Sequence, residues 1–241
     1  TETMKQRLDQ ALVAQNLVST RSQAESYIKL GDVTVDGRVV TKPGTLVNED
    51  AKLQLTADKQ YVSRAALKLA SVAKALELDF RGKTVLDVGS STGGFTDYAL
   101  QHGAAKVIAV ELGTDQLHPS LRGRKQIELH EKTDIRDYKT TQKIDVVVAD
   151  VSFISLREIL PSVAKLVDQQ AQLAVMVKPQ FEAGASNLKH KGVIKNDKIR
   201  RQILKDFEAW TTQKFRIINK ADSEVAGAKG NRERFYLLRK A

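Results

Sequence analysis

No cysteine occurs among the 241 residues. Disulfides, thiolate nucleophiles and cysteine-based zinc sites are therefore excluded, and the redox compartment is left open. The four histidines are scattered, so no metal site is expected. No apolar run approaches the about 18–20 residues of a membrane span, and no secretion signal is visible. A cytoplasmic protein is the simplest expectation. No internal repeat or low-complexity segment occurs. Acidic charge is in the minority: 29 Asp and Glu stand against 39 Lys and Arg, a net charge of +10. That excess points to an anionic partner, nucleic acid first and an acidic membrane surface second. At 41% hydrophobic residues, the chain can build one α/β domain and a small module beside it.

The stretch from Lys83 to Asp97 reads as a buried strand, a glycine-rich turn and the first turn of a helix. Thr84, Val85, Leu86 and Val88 form the apolar, largely β-branched run of a parallel strand. Gly89, Gly93 and Gly94 permit a tight turn and close backbone approach to a ligand, with Ser90, Ser91 and Phe95 around them. This is not the G-x-G-x-x-G of a dinucleotide site, because Ser91 stands at the second glycine. Asp87, two residues before Gly89, repels a pyrophosphate but suits an ammonium group. S-adenosylmethionine carries an ammonium and a sulfonium and has no phosphate, so Asp-x-Gly-x-Ser-x-Gly-Gly points to a methyl donor. A purely structural turn is the competing explanation. Lys106–Glu111 reads as the next strand. Glu111 at its end is placed to accept the hydroxyls of an adenosine ribose. Asp134, in the polar loop after a strand at Ile127–His130, is placed for the adenine amino group.

The alternation continues with strands at Ile144–Asp150 and Gln172–Val177, a helix at Leu156–Val167, a last helix at Asp197–Thr211 and closing strands at Phe215–Asn219 and Phe235–Leu238. This predicts a doubly wound, mostly parallel sheet. Asp150 and Lys178 fall at carboxyl ends of strands, where open α/β sheets bind ligands. Lys68 lies on the helix opening at Ser63, and Glu233 lies beside the last strand turn. A ribose hydroxyl must lose its proton as it attacks a methyl group. Two lysines with a carboxylate between them suit that task, and base-carbon methylation by a thiolate is closed to a chain without cysteine.

Before residue 57 the pattern changes. Leu8, Leu12, Val13 and Leu17 have helical spacing, and Ser19 or Thr20 caps a second helix running to Leu30. Asp36-Gly37 between β-branched residues marks a hairpin. Lys42-Pro43-Gly44 is a turn, and Asp50–Leu55 reads as a closing strand. Arg7, Arg21, Lys29, Arg38 and Lys42 fall on exposed positions, a plausible phosphate-binding face. Arg64 extends this basic set, as do Lys189 and Lys191 in a lysine-rich stretch between Gly184 and Asn196.

The run from Arg7-Leu8-Asp9 through Ser19-Thr20-Arg21-Ser22-Gln23-Ala24 and Gly31-Asp32-Val33-Thr34-Val35-Asp36-Gly37 to Lys42-Pro43-Gly44 resembles the small RNA-binding domain named after ribosomal protein S-four. The order Lys68, Asp150, Lys178, Glu233 resembles the Lys-Asp-Lys-Glu set of FtsJ-type ribose 2′-O-methyltransferases. With the runs Tyr61–Leu69, Asp87–Asp97, Asp150–Leu156, Val177–Glu182 and Lys229–Glu233, the whole chain resembles the TlyA, or hemolysin A, family. The resemblance implies a Rossmann-like class I methyltransferase with a seven-stranded, mostly parallel sheet over residues 63–241. An α+β RNA-binding module would cover residues 1–57, with a linker at 58–62. It implies S-adenosylmethionine as donor and ribosomal RNA or a ribosomal subunit as partner, with a cytidine ribose as acceptor. Glu111 stands where aspartate is more usual, and Thr92 where FtsJ relatives outside this family carry proline. A membrane-active hemolysin-like protein, and an RNA-binding protein with a vestigial methyltransferase core, are the alternatives.

Overall fold

The computed structural model describes residues 4–57, 60–186, 192–227 and 230–241. Lys189 and Lys191 lie outside the described residues.

The N-terminal unit contains β1 (Lys5–Arg7), α1 (Leu8–Ala14), α2 (Arg21–Lys29), β2 (Val33–Val35), β3 (Arg38–Val39), β4 (Leu46–Asn48) and β5 (Leu53–Leu55). Leu8, Ala11 and Leu12 of α1 face Ala24, Tyr27 and Ile28 of α2, all with 1% exposure or less. Burial of each large side chain contributes about 1.5–3 kcal/mol. Thr20 caps α2 by accepting the Gln23 N–H. Asp36 and Gly37 both take positive φ, 49° and 82°, as a two-residue hairpin turn requires. The closing strand is shorter than its sequence pattern suggests, and the β1–β4 pair was not legible at all. Strands of three residues are too short for alternation to register. This core also takes in Leu67 and Val225 from the larger unit.

The larger unit runs α3 (Arg64–Ala73), β6 (Thr84–Val88), α4 (Gly94–Gln101), β7 (Lys106–Val110), β8 (Ile127–His130), β9 (Val146–Ala149), α5 (Leu156–Ala164), β10 (Gln172–Val177), α6 (Pro179–Glu182), α7 (Asp197–Thr211), β11 (Phe215–Asp222) and β12 (Arg234–Lys240). Its seven-stranded sheet has the order β11-β12-β10-β9-β6-β7-β8. β12 pairs antiparallel with both neighbours, and the other pairs are parallel. Side chains alternate between two cores. Val85, Val107, Val146 and Val148 meet Leu69, Val72 and Phe95 on one face. Leu86, Val88, Ile108 and Val147 meet Ile159, Leu160 and Phe207 on the other. That period of two is the reason these segments read as β-branched runs buried on both faces.

From β6 the chain moves outward to β7 and β8, then returns to β9 on the other side of β6. The switch point between β6 and β9 opens a crevice at their carboxyl ends. Val88 pairs with Ala149, and the Asp150 N–H donates to the Val88 carbonyl at 3.1 Å. Gly89 and Asp150 therefore emerge side by side. Val177 pairs with Arg234, so Lys178 and Glu233 emerge at the same edge, one strand further on.

Candidate active site

Asp87 is 1% exposed, and the Thr96 hydroxyl donates to its Oδ2 at 2.7 Å. Its Oδ1 is buried without a hydrogen-bond partner. Burial pushes the Asp87 carboxyl up to about 7, the Thr96 hydrogen bond opposes the rise, and Asp150 and Glu111 add to it. Thr96 was not singled out in the sequence, yet it is the partner that aims this carboxylate.

The glycines serve the protein's own packing more than the sequence suggests. A Cβ on Gly89, at φ 77°, would lie 2.3 Å from the Asp150 carbonyl oxygen. One on Gly93 would meet Leu121 and Leu117 at 2.6 and 2.7 Å, and one on Gly94 would meet Ser63 Oγ at 2.2 Å. The close approaches are thus to neighbouring loops and to the start of α3. Phe95, at 2% exposure, packs its ring in the core, 6.0 Å from that of Phe235. Ser90 is buried with an unpartnered Oγ, whereas Ser91 is exposed at φ 49°.

A cleft of about 390 Å³ opens beyond this turn. Gly89, Ser91, Glu111, Asp134 and Asp150 line it together with apolar Val110, Ile135 and Val151. Glu111 is already engaged: Oε1 accepts the Ser91 N–H at 2.8 Å and Oε2 accepts the Gly113 N–H at 2.7 Å. It fastens the turn to the end of β7, and each oxygen keeps one acceptor site. Asp134 is gripped by Arg136, whose Nη2 lies 2.7 Å from Oδ2 and whose backbone N–H donates to Oδ1 at 2.9 Å. That pairing holds the Asp134 carboxyl below its ordinary value.

At the other side of Asp150 stand two lysine–carboxylate pairs. Lys178 Nζ lies 2.5 Å from Asp150 Oδ1 and donates to Ser152 Oγ at 2.9 Å. Lys68 Nζ donates to Glu233 Oε1 at 2.7 Å, with both side chains nearly or fully buried. The sequence suggested a single group of two lysines around a carboxylate; the fold gives each lysine its own acid. Gly227 makes room for the second pair, because a Cβ there would lie 1.8 Å from Glu233 Oε1. Phe153 stands at the mouth, 89% exposed and at φ 64°, its ring 5.1 Å from that of Phe181. A non-glycine residue held there is strained, a condition typical of ligand-facing loops.

A family model described as FtsJ-like methyltransferase matches residues 61–240, and one described as S4 domain matches residues 6–53. In Mycobacterium tuberculosis H37Rv, the protein named 16S/23S rRNA (cytidine-2′-O)-methyltransferase TlyA is 35% identical over 239 residues, spanning 97% of this chain and 89% of its own. The chain belongs to the TlyA family of FtsJ-like methyltransferases. Hemolysin A of Brachyspira hyodysenteriae is 34% identical over 232 residues, 94% of this chain and 97% of its own. A solved structure from Streptococcus thermophilus superposes with a TM-score of 0.72 at 34% identity, covering 98% of this chain and 89% of that one. Among the described residues no helix is long and apolar enough to cross a membrane, and no cluster of His, Asp or Glu could hold a metal ion.

In this TlyA-family chain the basic residues of the N-terminal unit do not all stay free. Arg7 and Arg21 both converge on buried Asp9, at 2.9 and 3.1 Å. Lys29 pairs with Glu25 at 2.7 Å. Arg38 and Lys42 are exposed. Arg64 is half-buried, its guanidinium donating to the Ala226 carbonyl.

Proposed function

We propose that this chain transfers the methyl group of S-adenosylmethionine to a ribose 2′-hydroxyl of ribosomal RNA, with cytidine as the nucleoside. The observation that carries the reading is the placement of Lys178–Asp150 and Lys68–Glu233 at one sheet edge, beside the cleft at the glycine turn. The cleft suits the donor: it is apolar where Val110, Ile135 and Val151 line it, carboxylates of Glu111, Asp134 and Asp150 line it too, and the cation among its described lining residues, Arg136, is taken up by Asp134. Asp87, with an unpartnered buried oxygen, places a carboxyl behind the turn. When bound, the donor supplies a methyl carbon on a cationic sulfur.

Glu111 and Asp134 would orient the donor, Glu111 at the ribose and Asp134 at the adenine. Asp150 and Ser152 hold the Lys178 ammonium in one place. As methyl transfer proceeds, the ribose hydroxyl would give up its proton to Lys178 Nζ acting as an amine, and Asp150 would hold the ammonium so formed. General acid–base help of this kind gives about 10²–10⁴-fold. Lys68 and Glu233 fix the neighbouring wall. Phe153 offers a face on which an unstacked base can lie. Residues 1–57, across exposed Arg38 and Lys42, supply RNA affinity, residues 58–62 link the units, and residues 63–241 carry the chemistry.

The deciding experiment incubates the protein with methyl-labelled donor and each ribosomal subunit, then maps the label. Label on a ribose oxygen is the expected result. Label on a base, or RNA binding without any transfer, would overturn the reading; the latter outcome would indicate a vestigial core.

A further inference from the structure

Two short segments build the acceptor side of the site, and they are joined at three points. One runs from Asp150 to Ser155; the other is Lys178 with the single helical turn α6 that it opens, ending at Glu182. At the near end Lys178 pairs with Asp150 at 2.5 Å. In the middle the rings of Phe153 and Phe181 lie 5.1 Å apart. At the far end Glu182 accepts the Ser155 hydroxyl, at 2.8 Å on Oε1 and 2.6 Å on Oε2, and its Oε1 accepts the Leu156 N–H at 3.1 Å.

Glu182 is 1% exposed, an unusual place for a carboxylate that touches neither lysine of the site. Burial pushes its carboxyl up, with the Ser155 hydroxyl and the Arg157 guanidinium opposing the rise. Arg157 lies 3.6 Å from it and stacks over Phe207 and Trp210, so this far end is anchored in the core of the sheet. Within the second segment the Phe181 N–H donates to the Lys178 carbonyl at 2.9 Å, which makes it one tight turn. A shift at Glu182 therefore moves Lys178.

We infer that Glu182 is a positioning residue for the acceptor half of the site: through Ser155 it locks the two segments together and so sets the geometry of the Lys178–Asp150 pair and of Phe153. This rests on the proposed reading of Lys178 and Asp150 as the proton-handling pair. The Asp150–Ser155 loop also lines the donor cleft, but Lys178 does not, and Asp87 on β6, Glu111 after β7 and Asp134 after β8 lie apart from both segments, so the larger damage is expected at Lys178.

The test uses the full chain with Glu182→Ala, Glu182→Gln and Ser155→Ala. With Glu182→Ala, kcat should fall by about 10- to 100-fold, as misplacing a reacting group does, while donor affinity by calorimetry stays within about twofold. Glu182→Gln keeps an acceptor for Ser155 and Leu156 and should recover most of kcat. Ser155→Ala should reproduce the loss, and the double variant should be no worse than either single one, as for two members of one contact. An activity-independent readout is the acetylation rate of Lys178 by mass spectrometry. It should rise at least about threefold in Glu182→Ala, as for the loss of one hydrogen bond that holds Lys178 Nζ, with Lys68 unchanged. If Glu182→Ala does not fold, Ser155→Ala carries the same readouts. Unchanged Lys178 reactivity, or donor affinity falling in step with kcat, would overturn the inference. If Lys178 reactivity responds but wild-type protein labels no ribose, the positioning role stands and the methyl-acceptor reading falls.

Discussion

Lys68 and Glu233 lie 165 positions apart in the chain and meet at 2.7 Å, almost closed to water. A buried pair of this kind is weak evidence for stability, but breaking it is costly because it strands one charge. Lys68→Ala should therefore destabilise the fold by about 3–5 kcal/mol. Replacing both, Lys68→Met with Glu233→Leu, should restore most of that stability and none of the activity. Thermal unfolding and methyl transfer on the same three proteins check this. A double variant that regains activity would remove the pair from the mechanism.

Gly227 bears on the same pair from behind. A methyl group there would sit 1.8 Å from Glu233 Oε1, and the Gly227 N–H is fixed by a 2.8 Å bond to the Asn231 carbonyl. The backbone cannot readily retreat, so Glu233 must turn away from Lys68. Overpacking costs about 1–3 kcal/mol, or about 2–12 °C in Tm for a domain of this size. Gly227→Ala should show that loss together with lower transfer. A variant of unchanged Tm and activity would mean that the loop yields freely.

Lys178 is held by Asp150 and Ser152 at the edge of the cleft. Lys178→Ala should lower methyl transfer by at least about 100-fold, the lower end of the effect of a lost acid–base group. Donor affinity by calorimetry should hardly change, since Lys178 is not among the residues lining the donor cleft. Substantial remaining activity would refute the proton-handling role.

The parallel sheet was legible because its strands are buried on both faces and read as β-branched runs. The position of Asp150 and Lys178 at strand ends followed from that alone. Pairing was another matter. Which acid each lysine meets depends on the antiparallel β12, and Glu233 enters only through the register of Arg234 with Val177. The glycine turn was legible as a tight approach but not as an approach to what: Gly94 is pressed by Ser63 and Gly93 by two leucines. The basic face was legible as charge but not as pairing. A sequence shows that Arg7 and Arg21 are cations, not that one buried Asp9 collects both.

Asp87 ties stability to pH. Its carboxyl is pushed up to about 7 from an ordinary value of 3.8. Between those values the folded protein keeps a proton that the unfolded chain has released. The stability this group contributes is full below about pH 4 and is lost as pH rises through about 7. At about 1.4 kcal/mol per tenfold, the loss across the window is at most about 4 kcal/mol. Asp87→Asn still offers an oxygen to the Thr96 hydroxyl but cannot ionise. Urea unfolding near pH 5 and pH 8 should show wild type losing more stability than the variant on going to the higher pH. Equal losses would place the Asp87 titration outside this range.

RNA affinity is best tested by charge rather than by truncation. Cutting before residue 57 would uncover Leu67 and Val225, which complete the core of the N-terminal unit. Lost binding after such a cut could then reflect a damaged fold. Arg38 and Lys42 are exposed and can be changed without that risk. If each contacts a phosphate, Arg38→Glu with Lys42→Glu should weaken RNA binding uniformly across sequences. The slope of log affinity against log salt should fall by about two, one for each phosphate contact removed. Arg21→Gln should move the slope less, because its guanidinium is turned toward Asp9. An unchanged slope in the double variant would place the RNA on another face of the protein.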